Sequence, residues 1–205
     1  VIGGLEKSSK VFTNDEKKAI ATHEAGHATV SWMLEYGEPL VKVTIVPRGR
    51  AQGYAMYAPE ERQYYPTQAY LDKICSLLAG RAAEDLFTGQ ISLGAFDDLE
   101  KATKAALSLV AFYGYSDKLK NLNYYDSNGQ TYGFSKPYSE ETAKTIDAEV
   151  ARIIEEQYER AKDILRQYST QHNEIRDLLI LRESVFTEDV KKILGERKWK
   201  SRTDE

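Results

Sequence analysis

Cysteine is nearly absent: Cys75 is the only one in 205 residues. That excludes an internal disulfide framework and any cysteine-rich zinc knuckle. With only three histidines as well, a metal centre here would have to combine histidine with carboxylate. Long apolar runs are missing too. The best is residues 105–112, interrupted by Ser108 and well short of the roughly 20 residues that cross a bilayer. Nothing at the N-terminus has the pattern of a signal peptide. Neither sign of charge dominates, since 28 Lys plus Arg stand against 32 Asp plus Glu for a net charge of -4. Such a balance offers no electrostatic reason to expect nucleic acid. A G-x-x-x-x-G-K-[ST] phosphate-binding loop is also lacking. What remains, 41% hydrophobic and 29% charged, is the composition of a soluble globular chain forming one large domain or two small ones.

Helical patterns dominate. Residues 1–12 read as a connector. Thr13-Asn14-Asp15-Glu16 then has capping-box spacing, opening a predicted helix over 14–36 that Gly37 should stop. Its stripe of Ile20, His27, Val30 and Leu34, with His23 on the same side, is expected to be buried. Val41, Val43 and Ile45 alternate with polar residues, and 53–58 offers a second extended segment, so a hairpin or small sheet is expected. Thr67 is placed to cap a helix over 68–87. A glycine-punctuated loop, 88–96, leads to an alanine-rich helix over 98–113. Residues 116–137 read as irregular with one strand. Ser139 is the expected cap of a long helix reaching 168, followed by shorter helices over 173–182 and 188–194 and a tail over 198–205. The expected fold is mainly α, with a small sheet beside one helix.

The residues that carry chemistry are His23-Glu24-Ala25-Gly26-His27, an H-E-x-x-H pattern in the middle of a predicted helix. Residues four apart lie one turn apart on one face, so both imidazoles can address one metal ion, most often zinc. Glu24 sits about 100° round the helix, displaced from the ligand line and able to take a proton from an activated water. Gly26 costs about 1 kcal/mol inside a helix, and close approach of another backbone or of substrate would explain it. The bland reading is two hydrogen-bonded core histidines without metal. A catalytic zinc needs a third protein ligand and an open position. Val30 and Met33 stand where the metzincin pattern requires glycine and a third histidine, which excludes that class. His172 reads as an exposed residue between helices. Among carboxylates, Glu84 near the end of an apolar helix is one candidate third ligand. Asp97-Asp98 at a helix start is another, and the pair is equally explained as an N-cap plus a dipole-favoured acid.

Beyond this pattern the chain resembles the protease domain of the FtsH family, membrane-anchored AAA+ zinc metalloproteases. The resemblance is carried by Val1-Ile2-Gly3-Gly4-Leu5-Glu6-Lys7, by 21–28 around the zinc pair, and by Ile45-Val46-Pro47-Arg48-Gly49. It continues through 78–86, 94–103 and Gly114-Tyr115-Ser116. It implies a helical zinc-protease domain with the small sheet beside the active-site helix. Asp98 would be the third ligand, with Asp97 as its ambiguous neighbour, and Glu84 would support a zinc histidine. Residues 13–137 would form the catalytic region and 138–197 a helical region of the same domain. The resemblance further implies one zinc ion per chain and unfolded polypeptide as substrate. Its parent protein would be a homo-hexamer that uses ATP outside this fragment and reaches a membrane through segments upstream. A bacterial inner membrane is expected, with this domain on the cytoplasmic side; mitochondrial and chloroplast membranes are the alternatives.

Three residues depart from the family pattern: Leu93 and Phe96 in the glycine loop, and Gln52. The tyrosine-rich stretches 63–70 and 124–132 have no assignable role. Two rival readings accompany the protease: a zinc hydrolase using Glu84 as third ligand, and a non-catalytic helical oligomerisation domain built around 139–168.

Overall fold

The computed structural model describes residues 12–48, 52–58, 60, 64–124 and 137–199. Among them lie six helices and a three-stranded sheet: α1 Asn14–Met33, β1 Leu40–Thr44, β2 Tyr54–Tyr57, α2 Thr67–Thr88, α3 Phe96–Ala111, α4 Glu140–Gln167, α5 Ser169–Arg182, β3 Ser184–Phe186 and α6 Thr187–Leu194. The expectation of a mainly α fold with a small sheet holds. The connector 1–11, most of the tail and residues 125–136 lie outside the described residues, and with them most of the second tyrosine-rich stretch. The strand expected within 116–137 is absent from its described part.

Helix α1 begins as its capping box requires: Thr13 Oγ1 accepts from the Glu16 amide, and the Thr13 amide donates to the Glu16 carboxylate at 2.8 Å. Beyond the first two turns it departs from a one-sided stripe. Every residue from Ala21 to Trp32 is buried, so α1 is the central helix of the fold rather than a surface one. Small residues make this possible. A Cβ added to Gly26 would stand 2.7 Å from both the Ala79 carbonyl oxygen and the Ala83 Cβ, which is how closely α2 crosses α1. The helix ends at Met33, before Gly37, where the backbone turns extended at Leu34. Arg197 donates to the Leu34 and Gly37 carbonyls at 3.2 and 2.8 Å, and the Tyr36 amide donates to buried Asp72 at 3.0 Å.

The described residues build three apolar clusters, two of them on α1. Ala21, Ala25 and Trp32 pack with Val43 of the sheet and with Ile175 and Leu179 of α5. Val30 and Leu34 pack on Cys75 and Ala79 of α2 and Leu165 of α4. Ile74 and Leu78, on another face of α2, join Leu109 of α3 and Ile146 and Ile153 of α4. Thus α2 is sandwiched, and both its faces are apolar. The sheet order is β2-β1-β3 with both pairs antiparallel, so β1 is the central strand and β2 an edge.

Several sequence expectations are corrected. Thr67 is the first residue of α2, and Pro66 holds the cap position with no side-chain hydrogen bond. Proline's fixed φ suits that entry without a capping hydroxyl. Strand β3 was not anticipated, and α5 starts at Ser169 rather than 173. His172 is buried, not exposed: it stacks on Phe87 at 4.3 Å between ring centroids, and its Nε2–H donates to the Thr22 carbonyl at 3.0 Å. Burial pushes its pKa down to about 4, so it is a neutral core residue and far from being a ligand on display. Ser139 caps α4 as expected, accepting from the Thr142 amide at 3.2 Å.

Candidate metal centre

The H-E-x-x-H segment lies in the buried middle of α1, facing α2. Each histidine is oriented through its Nδ1. That of His23 is 2.8 Å from Glu84 Oε1, and that of His27 is 2.9 Å from the Ser76 carbonyl oxygen. A carbonyl can only accept, so His27 Nδ1 carries the proton; the ionised Glu84 requires the same of His23. The two Nε2 atoms face each other, 3.0 Å apart. Gly80 of α2 makes room for this arrangement, because a Cβ there would overlap the His23 ring.

Asp98 completes the group from the first turn of α3. Its Oδ2 lies 3.4 Å from His23 Nε2 and 3.5 Å from His27 Nε2. These three ligand atoms lie within 4.8 Å of one another, the one such His/Cys/Asp/Glu group among the described residues. Asp97, its neighbour, points elsewhere and pairs with Lys101 at 2.5 Å. Glu84 addresses the nitrogen of His23 that faces away from Asp98 and His27, so it supports the imidazole rather than joining the ligand face. The Glu84 carboxylate is itself held, accepting from the Ser92 amide at 2.6 Å and the Ser92 hydroxyl at 2.8 Å. Ser92 in turn caps the short 3-10 turn Leu93–Ala95 that leads into α3. The loop that delivers Asp98 is therefore anchored to the residue that orients His23. Sequence reading alone missed Ser92 and Ser76; a polar residue inside a glycine loop was the available signal for the first, and a backbone carbonyl leaves none for the second.

The carboxylates around His23 favour positive charge at its ring. Burial alone would lower the His23 pKa, but hydrogen bonds to Asp98 and Glu84 and the field of Glu24 outweigh it and raise it to about 10. Burial would likewise raise Asp98, yet the hydrogen bonds to both imidazoles hold its carboxyl well below the usual range. Glu84 is also lowered against its burial, by His23 and Ser92. Glu24 goes the other way. Burial raises its pKa more than His23 and His27 lower it.

Donor set and spacing both fit zinc. Ligands about 2.0–2.1 Å from a tetrahedral ion stand about 3.3 Å apart, and the three separations here are 3.0, 3.4 and 3.5 Å. Two imidazoles and one carboxylate would be three protein ligands, the number that leaves one coordination position open for chemistry.

The chain has relatives among known proteins. The sequence profile of Peptidase family M41 matches residues 10–193. The chain is 57% identical over its full length to the ATP-dependent zinc metalloprotease FtsH of Parabacteroides distasonis, of which it spans 30%. It is 46% identical over 96% of its length to FtsH of Rhodothermus marinus, spanning 29% of that protein. To the mouse mitochondrial inner membrane m-AAA protease component AFG3L1 it is 42% identical over 96% of its length, spanning 25%. It therefore spans less than a third of the length of these relatives. With the profile covering nearly all of it, this chain belongs to Peptidase family M41.

Proposed function

We propose that this chain is the zinc-dependent endopeptidase domain of a longer, ATP-dependent, membrane-anchored protease that degrades unfolded, misfolded or unassembled proteins. The observation that supports it best is the convergence of His23 Nε2, His27 Nε2 and Asp98 Oδ2 beside the buried Glu24. These three residues would hold the zinc ion, and Glu84 would fix the tautomer and orientation of His23. When bound, zinc supplies Lewis-acid polarisation of the scissile carbonyl and of the attacking water.

Glu24 is the general base. Its raised pKa lets it take the proton from water and return it to the departing amine, so its carboxylate is restored at the end of the cycle. Substrate lies extended along the outer edge of β2, the edge strand that follows directly on Gly53 beside Glu24. Main-chain pairing binds any extended polypeptide with little demand on its side chains, which suits a protease of broad specificity.

The relatives' names support the wider setting: an ATP-dependent assembly, and for the mouse protein an inner membrane. Among the described residues no helix is long and apolar enough to cross a membrane. Anchoring, ATP use and homo-hexamer formation belong to the longer protein in this reading. A bacterial inner membrane, with the domain on the cytoplasmic side, is its proposed location.

The test is digestion of a permanently unfolded polypeptide by the isolated chain. Cleavage should stop on chelation and return with one equivalent of zinc. Cleavage indifferent to chelator would refute the assignment.

A further inference from the structure

Glu24 is a buried residue, and its carboxylate accepts no hydrogen bond from any described residue. A general base needs a fixed position, and here packing must provide it. The wall it rests on is Gly53, immediately before the edge strand β2. A Cβ on Gly53 would stand 2.7 Å from Glu24 Oε1 and 2.9 Å from its Cγ. The same Cβ would be 2.9 Å from the Thr44 carbonyl oxygen of β1, the strand to which β2 is paired.

We propose that Gly53 is a positioning residue for catalysis: the missing side chain is a slot in which the Glu24 carboxylate is seated. The slot ties the base to the substrate-binding edge. Gly53 opens the segment that continues as Tyr54–Tyr57, so one residue sets both where the edge strand starts and where the carboxylate ends. Placing the base relative to a strand-paired substrate needs no hydrogen bond, which would lower its basicity. This inference rests on the peptidase reading above, but the contact it describes does not.

Between the neighbours that an added methyl would meet, Glu24 gives way most easily. Its carboxylate is the far end of a flexible side chain, whereas the Thr44 oxygen belongs to a paired strand. Gly53→Ala should therefore displace Glu24 and leave the metal ligands in place. A base misplaced by about 1 Å costs on the order of 100-fold in rate. A loss confined to the transition state lowers kcat and kcat/KM together, with KM kept within about twofold.

The experiment is a double-mutant cycle on the zinc-loaded chain with three readouts: zinc content, thermal midpoint, and kcat against KM on an unfolded substrate. Gly53→Ala should keep one zinc per chain, lose kcat on the order of 100-fold and hold KM. It should also melt lower than wild type, and truncating the seated side chain with Glu24→Ala should recover most of that loss. Full kcat in Gly53→Ala would overturn the proposal. So would a loss appearing only in KM, or an equal fall in melting midpoint whether residue 24 is Glu or Ala, because the methyl would then clash with Thr44 instead. If Gly53→Ala does not fold, the Glu24→Ala background decides alone: folding restored supports the slot, folding still absent refutes it. Should wild type prove not to be a zinc peptidase, the melting cycle still tests the contact.

Discussion

His23 and Glu84 meet across the α1–α2 crossing, Nδ1 to Oε1 at 2.8 Å, and that pair joins the two halves of the site. One end of it fixes an imidazole of the H-E-x-x-H helix. The other end, through the Ser92 amide and hydroxyl, pins the loop that carries Asp98 into α3. A carboxylate bonded behind a ligating histidine keeps Nδ1 protonated and makes Nε2 a better donor.

Removing the charge of that carboxylate should weaken zinc binding without abolishing it. Glu84→Gln is expected to lower zinc affinity by about 10–100-fold, read by competition with a chelator of known affinity. Unchanged affinity would show that the Ser92 loop and His23 orientation stand without it.

Helix packing gives a second test. Gly26→Ala places a methyl 2.7 Å from the Ala79 carbonyl oxygen and the Ala83 Cβ, both on a packed helix that cannot yield cheaply. Overpacking of this kind costs about 1–3 kcal/mol, although alanine is intrinsically the better helix former by about 1 kcal/mol. Chemical denaturation should show net destabilisation; a stabilised variant would mean that α1 and α2 are further apart.

Core histidine His172 predicts a pH dependence. Its pKa is about 4 in the folded chain, against an ordinary 6.5, so between these values the unfolded chain binds the extra proton. Stability then falls as pH drops from 6.5 towards 4, by an amount on the order of 3 kcal/mol. His172→Phe lacks this proton, and its stability should decline less over that window. Parallel curves for the two proteins would contradict the buried, neutral assignment.

Substrate pairing on β2 is tested by the backbone of the substrate. Replacing alternate peptide N–H groups of a model peptide by N-methyl on the paired side should raise KM while leaving a distant scissile bond chemically unchanged. Equal KM for methylated and unmethylated peptides would remove strand addition from the account.

How much of this was legible before any coordinates follows from range. The His23–His27 pair is a local pattern, fixed by the helical repeat, and could be read directly. Asp98 could not: its part depends on a distant helix start being brought onto α1, and local pattern left it level with an ordinary cap. Only the family resemblance singled it out. His172 was misread because a histidine in a polar stretch looks exposed, while its burial comes from Phe87 and the Thr22 carbonyl, both remote in sequence. Strand β3 has three residues, too few for any alternation to register, and exists because β1 offers it an edge. The all-round burial of α1 likewise arises from its neighbours, since the stripe of Ile20, Val30 and Leu34 marks only one of its faces.

The central claim is that His23, His27 and Asp98 hold one zinc ion on which Glu24 acts as base. Zinc stoichiometry on two purified, folded variants, paired with a peptide-cleavage assay, tests it most directly. Glu24→Gln should retain one zinc per chain and cleave nothing, whereas Asp98→Ala should lose both zinc and cleavage. Full zinc occupancy in Asp98→Ala, or residual wild-type cleavage in Glu24→Gln, would contradict the account.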